Sequence, residues 1–515
     1  MIKPLVTAAV LLVQWACAAG LHAATAHAHE TAPLATTTAG NLGETTFPNS
    51  GAAAAQPDFL KGLLLLHSFE FDAARESFRS ALEKDPAFVM AYWGEALSYN
   101  APLWGEQDLE AARKVLERLA PTREARLAKA PTDRERRYLA SVEALYGDGE
   151  KEQRDANYNV ALGELAHRYP DDLDARSFYA LSWLGLTDDR NTANYMRGAA
   201  EAEAVYEINP RHPGALHYLI HAYDDPVHAP LGLRAARRYG QVAPAASHAQ
   251  HMPSHIFFAL GMWDEAIEAN TAALATARAN GQGGYHALQW LTYAYLQQGK
   301  RDAAAKLINS VEDDVAKRET RPARSTLAAL RAMWLAEGGS ADAVNAWTSV
   351  NETEIAAIYP FSAHDYVRGI AAATSGDIAR AQAQLQRLRT RNDAARGRNV
   401  PVAASRYDVV TPEAVAEGEM LATALEGAIL FEQGERDRGL ARIRDAIAKA
   451  DAMSFEFGPP FAAKPLDELL GDLLASAGQS EEAAVAYQKT LTVYPNRRLS
   501  VQGLAAMAAN AAKPR

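Results

Sequence analysis

The sequence predicts an all-α fold, a right-handed superhelix of stacked helix pairs with a concave groove, and three observations carry that expectation. From Pro57 onward one unit keeps returning: a helix of small, aromatic and Leu residues, a Gly-containing turn, and a second, Ala-rich helix. Such units bury their apolar faces only against their neighbours, so they stack rather than fold alone. No stretch alternates polar and apolar residues with the period of two that marks a half-buried strand. The composition is globular, with 515 residues of which 48% are hydrophobic and 22% charged. A formal net charge of −11 argues against a nucleic-acid surface, which needs a basic stripe, and offers little to an anionic membrane.

In chain order the first element reads as an address. Lys3, the apolar LVTAAVLLVQWACAAGL and the small residues of ATAHA, ending at Ala26 or Ala28, mark residues 1–28 as a signal peptide. The apolar stretch is short and Ala-rich for a membrane span. The expected mature protein is therefore periplasmic or secreted, with no span left after cleavage. Cys17, the only cysteine, falls inside this segment. Disulfides, thiolate nucleophiles and Cys–zinc sites drop out with it. Residues 29–55 are rich in Thr, Ala and Gly without an apolar period, and read as a flexible leader.

Residues 56–512 read as a single solenoid of roughly eight to ten degenerate helix pairs. FALGMWDEAIEANTAAL (258–274), YLQQGKRDAAAKLI (295–308), AATSGDIARAQAQL (372–385), LFEQGERDRGLARI (430–443) and LASAGQSEEAAVAYQKTLTVYP (474–495) are copies of the unit. HSFEFDAARESFRSALEKDP (67–86) is another, with Phe69 where the turn Gly would stand. A helix–turn–helix of about 34 residues with this signature resembles the tetratricopeptide repeat (TPR). The segment 121–170 is helical but fits the repeat poorly. The Arg/Pro-rich stretch 387–412 reads as a long connection, and 499–512 as a solvating cap helix.

Six of the 14 histidines lie in LHYLIHAYDDPVHAPLGL (216–233) and SHAQHMPSHIFFALGMWDEA (247–266). With Gly261 as the turn glycine at repeat position 15, His255 falls at position 9, His251 at 5 and His248 at 2. His217 and His221 precede His251 and His255 by 34 residues each, so they hold positions 5 and 9 of the previous repeat. Asp224 and Asp225 then fall at 12 and 13. Framed on Gly299, His286 holds position 2, Gln289 position 5 and Tyr293 position 9 of the next repeat. In the repeat proteins this resembles, positions 2, 5, 9, 12 and 13 line the groove.

Residues four apart share one helix face, and neighbouring helices pack about 8–10 Å apart. Four imidazoles on the groove wall could thus converge on one transition-metal ion. The expected ligands are His217, His221, His251 and His255, with Asp225 and His248 completing the shell. Zinc suits such a set best, with copper or iron as alternatives. If the site is catalytic, a hydrolytic reaction with a metal-activated water is the most economical form, and Glu95, at a groove position, and Asp224 are the candidate proton carriers. Two other readings remain open: histidines satisfied within a core, and a non-catalytic adaptor whose groove holds a peptide, a partner protein or a small molecule.

Pro253 lacks an N–H and could break the helix between the paired histidines. His67, at position 13 of the first repeat, is expected to stand isolated. Glu468 and Asp472 read as a solvated charged face. Ser254 sits at position 8, where the repeat packs a small residue, rather than as a nucleophile. No HExxH motif is present.

DFLKGLLLLHSFEFDAA, MAYWGEALSYNAPLWG, HPGALHYLIHAYDDP, HMPSHIFFALGMWDE and KPLDELLGDLLASAG together resemble a group of secreted bacterial TPR proteins. That group is distantly similar to tetratricopeptide repeat protein 38 of animals. The resemblance runs over nearly the whole mature chain and implies the fold and the histidine site; it implies no reaction. It departs at Asp467, which stands where the group carries a His in KPxHELLG.

Overall fold

A computed structural model describes residues 41–186, 190–340, 358–396, 412–453 and 458–511. Residues 1–28 and the first part of the leader lie outside them. The only strands among the described residues are a two-residue antiparallel pair, Asn100–Ala101 against Glu106–Gln107. Everything else of regular form is helical, and the fold is an all-α TPR-like superhelix.

Helix pairs follow one another as the repeat demands. The first runs α1 (Gln56–His67), α2 (Phe71–Lys84), α3 (Val89–Leu97), α4 (Leu109–Leu119), α5 (Arg123–Ala128), α6 (Asp133–Leu145) and α7 (Lys151–Arg168). The middle comprises α8 (Leu173–Leu184), α9 (Thr192–Ile208), α10 (Pro213–Ala222), α11 (Ala229–Val242), α12 (Ser247–His251), α13 (Pro253–Ala259), α14 (Trp263–Ala279), α15 (Tyr285–Gln297), α16 (Arg301–Lys317) and α17 (Arg321–Ala336). The last part holds α18 (Ile358–Thr374), α19 (Ile378–Arg396), α20 (Pro412–Glu432), α21 (Arg436–Asp451), α22 (Leu466–Ser476), α23 (Ser480–Val493) and α24 (Arg498–Ala511). Side chains of Asp108, Thr122, Thr132, Asp172, Asn191 and Thr320 accept the first free backbone N–H groups and start their helices. The proposed connection at 387–412 is helical as far as Arg396; its remainder, up to 411, lies outside the described residues.

The five turn glycines of the repeat copies, Gly261, Gly299, Gly376, Gly434 and Gly478, all have φ between +65° and +93°. Only a residue without Cβ enters this left-handed turn freely. Phe69 enters it too, at φ +54°, at a cost of about 1–2 kcal/mol.

Two features depart from a chain of nearest-neighbour repeats. Residues 41–55, expected as a flexible leader, are packed: Leu42, Phe47 and Ala55 are buried. The Phe47 ring lies 5.3 Å from that of Phe59 and 5.0 Å from that of Tyr138, and Arg134 covers it. Apolar residues without a period escape a search for helices and still fill a core. The second departure is that distant repeats touch. Helix α1 packs on α10, and the turn before α24 packs on the middle of the chain. There Asn496 Nδ2 donates to the Gly261 carbonyl (3.2 Å), and Arg497 NH1 to the Tyr293 hydroxyl (2.8 Å). A Cβ on Gly261 would stand 2.3 Å from the Pro495 carbonyl oxygen. The start of the last helix is thus anchored rather than only a solvating cap, because the Arg498 N–H donates to Gln297.

Glu468 corrects the expectation of a solvated face, whereas Asp472 is exposed as expected. Glu468 is fully buried and holds Arg497 (2.7 Å), Lys464 (3.1 Å) and Ser500. Burial alone would raise its pKa, but Arg497 and Lys464 outweigh it and keep the carboxyl below the ordinary range. Asp472 accepts from Tyr487 and Lys464.

Candidate metal centre

Helix α10 begins at Pro213, preset for a first helical turn. His212 caps it, its Nδ1 accepting the Ala215 N–H. Every residue of α10 is buried, because α1, α8, α9, α11 and α13 surround it. His217 and His221 are therefore inside the protein. So are His251 and His255, which corrects the expectation that positions 5 and 9 lie off the core in an open groove. The cover comes from α1 and from residues around Phe69, which no repeat frame anticipates.

Pro253 does divide the helix, ending α12 at His251 and opening α13. Met252 keeps helical angles across the junction (φ −53°, ψ −37°), so His251 and His255 remain on one face. Their Nε2 atoms are 3.2 Å apart.

The described histidines gather in two groups of three: His217, His221 and His248, and His251, His255 and His286. Within each group the nitrogens that could bind an ion lie within 4.8 Å of one another. In the first, His217 Nε2 stands 3.0 Å from His221 Nε2 and 3.1 Å from His248 Nε2. The groups adjoin: the rings of His221 and His255 are 5.8 Å apart, those of His248 and His251 6.2 Å. Phe69 covers the first group, its ring 4.3 Å from that of His217 and stacked on His221 and His248. Trp290 packs on His255 and His251 in the second.

Hydrogen bonds at the far side of the rings fix the tautomers. His217 Nδ1 is 2.7 Å from the His67 carbonyl, which can only accept, so Nδ1 carries the hydrogen. His255 Nδ1 faces the Asp224 carboxylate at 2.5 Å. His251 Nδ1 faces Asn270 Oδ1 at 2.7 Å, and that amide is oriented by Nδ2 donating to the Ala266 carbonyl. In their neutral forms all three rings therefore turn an Nε2 lone pair inward. Burial holds His217 at a pKa of about 3 and pushes those of His221 and His251 well below the ordinary imidazole range, with neighbouring histidines adding to the effect.

Two lone pairs 3.2 Å apart repel unless a cation lies between them. Ligands about 2.0–2.1 Å from one ion stand about 2.9 Å apart at a right angle and about 3.4 Å apart at the tetrahedral angle. The observed 3.0–3.2 Å separations fall in that interval. Asp224 stands behind His255, and a carboxylate in that place is the usual support of an imidazole that binds a metal.

The third cluster, His67, Asp174 and His212, contrasts with both. His67 Nε2 and His212 Nε2 share Asp174 Oδ1 at 2.9 and 3.3 Å. Tyr218 meets His67 Nδ1 at 2.9 Å, and Thr45 donates to Asp174 Oδ2 at 2.7 Å. Every ring nitrogen has a complementary partner, and no lone pairs confront one another. Burial lowers the His67 pKa to about 4 against the pull of Asp174. Burial would raise Asp174, yet the two histidines hold it below its ordinary range. His67, expected alone, is thus at the centre of a closed network, and its carbonyl orients His217.

The carboxylates of the sequence reading separate. Asp224 is behind His255, as a positioning residue. Asp225 is not grouped with either trio; it pairs with Arg190 at 2.9 Å and with His228 Nδ1 at 2.7 Å, and caps the turn at Val227. Glu95 is buried between Arg79 (2.7 Å) and Arg118 (3.0 Å). Glu95 is thus held by two arginines, and Asp224 meets the imidazoles only through His255 Nδ1. Ser254 is buried and donates to the His251 carbonyl. His286 completes the second trio although it was not among the expected ligands. It holds position 2 of its repeat, as His248 does, and that shared register is the signal that finds it.

No family model matches this chain, and no curated protein sequence is significantly similar to it. Human IFIT1 with m7Gppp-AAAA is similar in structure at 14% identity, over 91% of this chain and 91% of that one, with a TM-score of 0.36. A Rap protein complexed with competence and sporulation factor is similar at 13% identity, over 78% and 98% of the two chains, with a TM-score of 0.33. Yeast Tom70 is similar at 9% identity, over 88% of each, with a TM-score of 0.31. At these values the likenesses carry no argument about what this chain binds.

Proposed function

We propose that the chain is a TPR-scaffold metalloprotein whose histidine centre takes a first-row transition metal, zinc first and copper or iron as alternatives. One observation carries the reading: His251 and His255 turn Nε2 lone pairs at each other across 3.2 Å, with both tautomers set from behind. A proton on one ring would also relieve that contact. In the first trio His217 presents one lone pair to two imidazoles at once, so a single donated hydrogen serves only one of the two contacts. An all-imidazole set suits zinc, copper, iron or nickel better than magnesium or calcium. When bound, such an ion supplies Lewis acidity or, for copper and iron, redox chemistry.

The hydrolytic version lacks its proposed proton carriers, because Glu95 and Asp224 are committed to other partners. That favours a binding or scaffold role, in which the ion fixes a surface for a peptide, a partner protein or a small molecule. No helix among the described residues is long and apolar enough to cross a membrane. The address-like residues 1–28 support a periplasmic or secreted protein, and a mature terminus near residues 25–30 in a periplasmic fraction would test that.

Elemental analysis of the full chain, purified without a histidine tag, tests the metal. Zinc, copper or iron at one or more ions per chain is expected. A metal-free protein that takes up neither zinc nor copper in equilibrium dialysis overturns the reading and leaves the adaptor.

A further inference from the structure

We infer that the centre holds two neighbouring metal ions, one for each trio, built by one ligand pattern used twice along the repeat. The inference rests on the metal-binding reading above and goes beyond it in number and arrangement.

The pattern is positional. His217 and His221 hold positions 5 and 9 of one repeat, and His248 holds position 2 of the next. His251 and His255 hold positions 5 and 9, and His286 holds position 2 of the repeat after. A stack of helix pairs puts equivalent positions in equivalent places, so each junction between repeats delivers three imidazoles to one spot. The structure shows this outcome, with two groups of three rather than one ring of six. The pattern then stops, because the next repeat offers Gln289 and Tyr293 at positions 5 and 9.

Each trio has its own close contact between Nε2 atoms, 3.0 and 3.1 Å in the first and 3.2 Å in the second. Each also has its own support from behind: the His67 carbonyl for His217, and Asn270 and Asp224 for His251 and His255. One ion cannot relieve both contacts, since no ring belongs to both groups. Each trio is two buried histidines closed by a third that reaches outward: His248 is half-buried and His286 exposed. An ion can therefore enter each position from the side of its third ligand. Ring separations of 5.8 and 6.2 Å across the boundary make the two positions neighbours. Three neutral imidazoles per ion suit Cu(II), Cu(I) or Zn(II).

The test uses the untagged full chain, stripped with a chelator and dialysed against zinc or copper chloride. Two ions per chain are expected. His286→Ala, at an exposed position, should leave the fold intact by circular dichroism and weaken one ion by on the order of 10–100-fold or more, so that one remains. His248→Ala should do the same to the other, and the double variant should retain neither at micromolar metal. With Cu(II), the loaded wild type should show an electron paramagnetic resonance signal broadened or lost through coupling, and His286→Ala should restore the signal of a single copper. One ion per chain in the wild type overturns the two-ion inference while leaving the metal-binding reading intact. No ion overturns both. Two ions with unbroadened copper signals overturn their adjacency.

Discussion

At the scale of single residues, the centre is governed by what lies behind and above the imidazoles. Asp224 is the clearest lever. In Asp224→Asn the side chain can still accept from His255 Nδ1, but the negative charge that strengthens the ligand is gone. Zinc affinity, measured by competition with a chromophoric chelator, should fall on the order of 10-fold or more, with little change in helical content. Phe69 offers a second test, because two opposing terms meet there. Its left-handed backbone costs about 1–2 kcal/mol that glycine would not incur, while its ring covers His217, His221 and His248. Removing a buried Phe ring costs about 3–5 kcal/mol, so the ring wins and both truncations destabilise. Their order is diagnostic: Phe69→Gly should be more stable than Phe69→Ala by about 1 kcal/mol in urea unfolding, the reverse of the usual ranking.

At the scale of elements, the repeat turns and the 34-residue spacing of the histidines were readable because both follow from local periodicity. The left-handed turn glycines and the shared face of His251 and His255 belong to that class. His286 was readable too, since its position 2 matches that of His248, but attention to pairs four apart passes over a third imidazole from the following helix. Burial was not readable. It arises from α1 lying on α10, and from residues 41–55, whose Leu42 and Phe47 carry no period. That segment should behave as core. Phe47→Ala should destabilise by about 3–5 kcal/mol, measured by urea unfolding, whereas a tether would tolerate the change within about 0.5 kcal/mol.

At the scale of the molecule, the turn before α24 ties the last helix pair to α15 and α17 through buried charge. Arg497 meets Glu337 at 2.6 Å and Glu468 at 2.7 Å, all three without exposure. The folded pKa of Glu468 is lowered, so the native state binds fewer protons than the unfolded one near pH 4. The stability it contributes is present above the unfolded pKa of about 4.3 and is lost as pH falls through the lower folded value. The urea midpoint should therefore drop steeply below about pH 4.5. Glu468→Gln leaves Arg497 with half its compensation and should cost about 3 kcal/mol at pH 7. Its midpoint should then fall less on acidification than that of the wild type; an equally steep fall would assign the acid sensitivity to other groups.

The hydrogen bonds that aim His217 also set a clock. Thr45 reaches Asp174 across 129 residues, and His67 reaches His217 across 150. During synthesis, at roughly 5–20 residues per second, a gap of that size takes roughly 8–30 s to fill. Thr45 and His67 must wait that long before α8 and α10, which carry Asp174 and His217, exist. An ion offered to the nascent chain finds histidines but no coordination geometry. Under the metal reading proposed above, loading should therefore follow the docking of α1 on α10.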